Sequence, residues 1–128
     1  MKFKKMTPMI WTSEMDLTIA FYTEILGFGC TDRNDEWGWA VLHHDAIEIM
    51  VSRPNEHTPF GGPVFTGSFY FVIEDIDALW ELLKEQTYIA YPIEDFDWNM
   101  REFGIFDNNG YLLQFGQEIL IDTSLEEE

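Results

Sequence analysis

Basic residues are scarce in this sequence: 7 Lys and Arg stand against 24 Asp and Glu, a formal net charge of −17. Nucleic acid and anionic membrane surfaces both require a basic footprint, so neither is expected as a partner. The same charge has two readings, plain solubility or preference for a ligand that is cationic if charged at all. Cysteine is nearly absent. A single Cys30 excludes an internal disulfide and any thiolate metal cluster, and a buried, inert thiol is its expected state. No run approaches the roughly 20 apolar residues of a membrane span. No apolar stretch of signal-peptide length follows the basic residues near the start, so a cytoplasmic protein is expected. A nucleophile motif, a phosphate-cradling glycine loop and a dinucleotide fingerprint are also missing, since Gly61-Gly62 is only a turn pair.

Aromatic residues, in contrast, are abundant, with five Trp, five Tyr and eleven Phe in 128 residues. That exceeds what a core of this size requires and points to an aromatic-lined cleft. The length fits one domain spanning 1–128, able to bury roughly two-thirds of its unfolded surface.

The chain reads as a repeat. A short strand over 9–12 leads into a helix over 16–26, with Ser13 and Asp16 as its start signal and Leu17, Ala20, Phe21 and Ile25 at helical spacing. Gly27 stops that helix with a left-handed cap. Strands are expected over 28–32, 37–42 and 46–51. After a Pro- and Gly-rich linker, the order begins again. A strand over 68–73 precedes a helix that starts at Asp75, presents Ile76, Leu79, Leu82 and Leu83, and runs to about Gln86. A weak strand over 91–96 and a final hairpin turning at Asp107-Asn108-Asn109-Gly110 complete the second half. The boundaries are module 1 at about 7–52, linker 53–67, module 2 at about 68–117 and an acidic tail at 122–128. Strand, helix and three strands, twice, is an α+β architecture.

The closing stretch Trp98-Asn99-Met100-Arg101-Glu102-Phe103, followed by Asp107-x-x-Gly110-x-Leu112-x-x-Phe115-Gly116, resembles the C-terminal signature of the glyoxalase/bleomycin-resistance group, the vicinal-oxygen-chelate superfamily. Phe21-Tyr22-x-x-x-Leu26-Gly27-Phe28 is similar to the run that closes the first helix in that family. The likeness covers residues 7–117 and is greatest to the bleomycin-resistance-like branch. It implies that the two βαβββ modules curl into one half-barrel cleft, and that the protein is a homodimer.

Side chains alternate across a strand, and the more apolar set must cover its helix. On that rule Phe69, Phe71, Ile47, Ile49, Val51, Tyr111, Leu113, Phe115, Pro8 and Ile10 pack inward. Thr7, Met9, Trp11, Glu48, Met50, Ser68, Tyr70, Leu112 and Gln114 remain for the other face. If the turn at His44-Asp45 is a two-residue hairpin, Val41 lies opposite Glu48, and Trp37 and Trp39 join that face; a loop one residue longer flips them. The expected ligand-binding set is Trp37, Trp39, Glu48, Tyr70, Trp98, Arg101, Phe103 and Gln114. Trp98 and Phe103 stand at the rim, and Glu48, Tyr70 and Gln114 at the floor. The alternative for Trp98 is simple packing of the loop before the hairpin. Glu48, set in Ile-Glu-Ile-Met, either pairs with Arg101 or meets a cationic ligand.

Members of the family that do chemistry hold a divalent metal with four strand residues, typically His, Glu, His and Glu. The matching positions here are Thr7, Glu48, Ser68 and Gln114, of which only Glu48 is a good ligand. His43, His44 and His57 read as solvated surface residues, and the acids Glu94, Asp95 and Asp97 as a solvated face. No metal, no cofactor and no catalytic residue is therefore expected. The resemblance implies a metal-free protein that sequesters a flat small molecule in an aromatic cleft, not an enzyme. The alternatives are a metal-dependent lyase, isomerase or dioxygenase, or an accessory module that acts through partner contact.

Overall fold

The computed structural model describes residues 1–55, 57 and 59–120, so the acidic tail expected at 122–128 lies outside the described residues. The chain forms two units. One comprises 1–64 together with 108–110, and the other 65–107 with the residues from 111 onward.

In the first unit, strand β1 (Met9–Trp11) is followed by helix α1 (Met15–Ala20), a π-helical turn (Phe21–Ile25), and strands β2 (Gly29–Asn34), β3 (Trp39–His44) and β4 (Ile47–Ser52). The sheet order is β1-β4-β3-β2. β1 runs parallel to β4, with Ile10 opposite Val51, and the remaining pairs are antiparallel. Ile10, Leu42, Ile49 and Val51 alternate inward and meet Ile19, Tyr22 and Leu26 in the buried core.

The helix follows its sequence spacing only in part. Phe21 is buried as expected, but Leu17 is exposed, and Thr18, Ile19 and Tyr22 are buried as well. A π turn takes one residue more than an α turn, so a 3.6-residue period carried through it from Leu17 to Ile25 loses register. Ser13 does not cap the helix, which starts at Glu14 with no side-chain cap; Thr12 Oγ1 accepts from the Glu14 amide at 2.9 Å and fixes the approach to it. Thr18 can be buried because its hydroxyl is satisfied. It donates to Thr12 Oγ1 or the Glu14 carbonyl, both at 2.9 Å, and accepts from the side-chain amides of Asn108 and Asn109. Gly27 takes φ +81°, the left-handed cap expected of it.

In the second unit, strand β5 (Phe69–Val72), helix α2 (Ile76–Leu83), and strands β6 (Tyr88–Phe96), β7 (Met100–Phe106) and β8 (Leu112–Glu118) form a sheet of order β5-β8-β7-β6. β5 is parallel to β8 and the others are antiparallel. The same order of elements and the same strand permutation thus occur twice. Helix α2 is shorter than expected. It presents Ile76, Leu83 and Trp80 to the sheet, and Leu82 is exposed. Its first amide, on Ile76, donates to Gln117 Oε1 at 3.0 Å, so the start is capped from β8 and not by Asp75. The sheet face beneath the helix carries Phe71, Phe103, Ile105, Leu113 and Phe115, all buried.

Candidate functional site

The other face of the second sheet is polar, and it is built around Glu102. This residue lies on β7 opposite Gly116 of β8, and it is only 2% exposed. Its carboxylate accepts three hydrogen bonds: Tyr70 Oη to Oε1 at 2.9 Å, Trp98 Nε1 to Oε1 at 2.8 Å, and Tyr91 Oη to Oε2 at 2.5 Å. The chain continues from Gln114 Nε2, which donates to Tyr91 Oη at 2.9 Å, to Ser68 Oγ, which donates to Gln114 Oε1. A buried carboxylate is tolerable when its oxygens are filled in this way. All three donors to Glu102 are neutral groups, so its charge is spread over hydrogen bonds and not cancelled by a cation.

Two glycines make the arrangement possible. A Cβ on Gly116 would sit 2.2 Å from Tyr70 Oη, and one on Gly104 would sit 2.4 Å from the Tyr91 ring. Without side chains at these positions, both tyrosines lie across the strands and reach the carboxylate. Their phenols resist ionisation. Burial, and then the bond to Glu102, push Tyr70 up to about 12 and raise Tyr91 as well.

Trp98 occupies the turn between β6 and β7, which closes where Asn99 takes φ +63°. The residue is 61% exposed, yet its indole is fixed twice: by the Nε1 bond to Glu102 and by stacking on Phe96, with ring centroids 4.6 Å apart at 15°. The result is an aromatic platform with a buried carboxylate at its edge.

The corresponding face of the first sheet holds Glu48. Lys5 Nζ meets its Oε2 at 2.7 Å, Thr7 Oγ1 donates to the same oxygen at 2.6 Å, and His43 Nε2 lies 2.8 Å from Oε1. His43 Nδ1 in turn lies 2.7 Å from Thr31 Oγ1. Thr31 reaches it because the β2–β3 register slips between Cys30 and Asp32, the mark of a bulge. Lys5, and then Thr7, lower the Glu48 carboxyl to about 2.

The structure sorts the residues named from sequence as follows. Tyr70, Gln114 and Trp98 meet at the Glu102 cluster. Trp39 is half-buried on the Glu48 face, with His43 opposite Glu48 and Val41 opposite Met50. That register is two residues from the expected one and preserves the face. Trp37 is not in β3 at all but in the exposed turn before it. Phe103 is corrected outright: it does not stand at a rim but pairs with Phe115 and is fully buried against Trp80 and Phe115 on the helix side. Arg101 shares that side and binds Asp77 and Asp95, so it is not the partner of Glu48. His43 is a working hydrogen-bond partner, and Cys30 is exposed where a buried thiol was expected. Sequence reading missed Glu102 and Tyr91. Their signal was the recurrence of Gly104 and Gly116 two residues beyond Glu102 and Gln114 along the same strand faces.

The sequence profile of the Glyoxalase/Bleomycin resistance protein/Dioxygenase superfamily matches residues 6–115. The chain belongs to this superfamily. A bleomycin resistance protein of Geobacillus stearothermophilus is 28% identical over 133 residues, covering 88% of this chain and 95% of that protein. A protein of unknown function from Agrobacterium tumefaciens str. C58 superposes with TM-score 0.76 at 16% identity, over 93% of this chain and 97% of its own. A glyoxalase/bleomycin resistance protein/dioxygenase from Nocardioides does so with TM-score 0.71 at 17% identity, over 93% and 86%. At such identities the structural likenesses establish the fold, the α+β glyoxalase-like one, and nothing further.

The superfamily's metal positions can be tested on their chemistry here. In the first unit Thr7 and Lys5 both donate to Glu48, so an ammonium already occupies the cation's place at that carboxylate. In the second unit Ser68 is spent on Gln114. One carboxylate, two hydroxyls and an amide do not fit a Zn, Fe or Ni centre. Among the described residues no group of three or more His, Cys, Asp and Glu side chains is placed to hold a metal. No helix among them is long and apolar enough to cross a membrane.

Proposed function

We propose that this protein binds and sequesters a flat small molecule without using a metal. The observation that carries the reading is the Trp98–Phe96 stack, which exposes a large aromatic face yet is held rigid by the bond to Glu102. An exposed tryptophan normally has rotamer freedom to lose on binding; this one has already lost it, and pre-organisation of that kind favours affinity. Tyr70 and Gln114 supply polar atoms beside the platform. Stacking on such rings contributes about 0.5–1.5 kcal/mol per pair beyond the area buried. Support also comes from the likeness to a bleomycin resistance protein and from a donor set unsuited to metal-dependent chemistry.

The test is a calorimetric screen of flat aromatic compounds against the intact chain. A binder whose affinity drops about tenfold in Trp98→Ala, with the variant still folded at the titration temperature, is the expected result. Failure of every compound to bind, or binding indifferent to Trp98→Ala, would remove the proposal. We further propose a homodimer, since exposed apolar side chains such as Trp11, Val72 and Tyr88 offer surface for a second copy. Light scattering at moderate salt, which screens the like charges, should give twice 15.1 kDa, and a mass equal to 15.1 kDa refutes it.

A further inference from the structure

Among the carboxylates on the polar sheet faces, Glu48 is matched by Lys5, whereas the buried Glu102 accepts from neutral donors, with the exposed Glu94 as its cross-strand neighbour on β6. We infer that Glu102 sets the ligand's charge class: it makes the exposed face of Trp98 selective for an aromatic cation over its neutral counterpart. The inference deepens the binding reading above and rests on it.

The physical route has two parts. First, Nε1–H donates to a carboxylate at 2.8 Å, and this bond pushes electron density into the indole, strengthening the negative face that attracts cations. Second, the charge itself lies at the edge of the ring, in line with Nε1. At 2% exposure it is screened by salt far less than the many surface acids are. Phe96 covers one face of Trp98, which leaves the other for the ligand. Glu102 never touches that ligand. It is a positioning residue, acting through the indole it holds and polarises. A neutral aromatic compound gains the stacking area alone, and a cation gains the stacking and the field.

A matched pair of probes isolates the effect: 1-methylquinolinium and quinoline have nearly the same shape and differ in charge at neutral pH. Both are titrated at moderate salt into wild type, Glu102→Gln, and Glu74→Gln, which removes one exposed charge elsewhere on the unit. Wild type should prefer the cation roughly 5- to 10-fold, the range of a partly desolvated cation–π contact. Glu102→Gln should abolish most of that preference while holding quinoline affinity within about twofold, and Glu74→Gln should keep it. A preference that survives Glu102→Gln, or falls equally in Glu74→Gln, overturns the inference and leaves the binding reading intact. Neither probe binding wild type overturns the inference, and the binding reading falls with it where the screen of flat aromatic compounds also finds no binder. Should Glu102→Gln not fold, Trp98→Phe decides: it keeps a ring but cuts the link to the carboxylate. Loss of the preference with quinoline still bound supports the inference, and full preference in Trp98→Phe overturns it.

Discussion

Glu48 and Glu102 sit on the polar faces of two sheets built to one plan, and they have opposite surroundings. Glu48 lies near the end of β4, partly solvated, with an ammonium, a hydroxyl and an imidazole around it. Glu102 lies in the middle of β7 under two phenols and an indole. The difference follows from what each neighbouring strand offers. In the second sheet, Gly104 and Gly116 leave room for tyrosines to lie flat over the carboxylate. In the first, the register rungs place Met50 and Val41 on the same face as Glu48, and no glycine lies in β3 or β4. One fold therefore yields a neutralised surface pair in one half and a dry, uncompensated charge in the other.

The strongest way to break this comparison is to delete each carboxylate. Glu102→Ala leaves three donors without their acceptor, and hydrogen bonds to charged groups are individually the costly ones to lose. Removing the charge also relieves its own desolvation, so the net loss is smaller than the sum of three such bonds, about 2–3 kcal/mol. Glu48→Ala should cost clearly less, because water replaces its partners. Urea denaturation of both variants checks the order. Equal losses, or a larger one at Glu48, would mean that burial does not separate the two sites.

A second variant pair sharpens the role of the glycines. In Gly104→Ala the new methyl meets the body of the Tyr91 ring, which is anchored to Glu102, and overpacking of this kind costs about 1–3 kcal/mol. In Gly116→Ala the methyl meets the phenol end of Tyr70, which can swing toward solvent, so the loss should be at the lower end of that range. Thermal melts that rank Gly116→Ala as the more damaging would show that Tyr70, not Tyr91, anchors the cluster.

These effects also mark how far the sequence could be read. The face of β8 was legible because Tyr111, Leu113 and Phe115 alternate with polar or small residues, and strand alternation has no other solution. The position of Phe103 was not. The final hairpin closes with Phe106 opposite Leu112, a five-residue loop, and its register decides which side of β7 faces the helix. The burial of Tyr22 beside Phe21 was not legible, because a π turn leaves no mark in a 3.6-residue pattern. Glu102 was visible as part of a family motif, but its chemistry was hidden. Its phenol partners lie 32 and 11 residues away, and only the placement of β5 and β6 in the same sheet as β7 brings them together.

The smallest effects are in titration, and there the two halves should separate by pH. Tyr70 and Tyr91 are raised above the ordinary phenol value of 10.0 by burial and by donating to Glu102. Because the folded state favours their protonated form, the stability they contribute is fully present below 10.0. For Tyr70 it is lost as pH rises through about 12. Glu48 behaves in the opposite sense. Its carboxyl is lowered from 4.5 to about 2, so its contribution is present above 4.5 and disappears as pH falls through about 2. The alkaline limb thus reports the second unit and the acid limb the first. Tyrosinate absorbance should show at least two of the five tyrosines ionising late, and Glu102→Gln should move those two back toward 10.0. Carboxyl chemical shifts should show Glu48 unaffected by Glu102→Gln but raised by Lys5→Ala, since Lys5 is the main cause of its depression. If Glu102→Gln leaves the late tyrosines in place, burial alone holds them protonated, and the carboxylate is less strongly coupled to its phenols than the 2.5 Å contact implies.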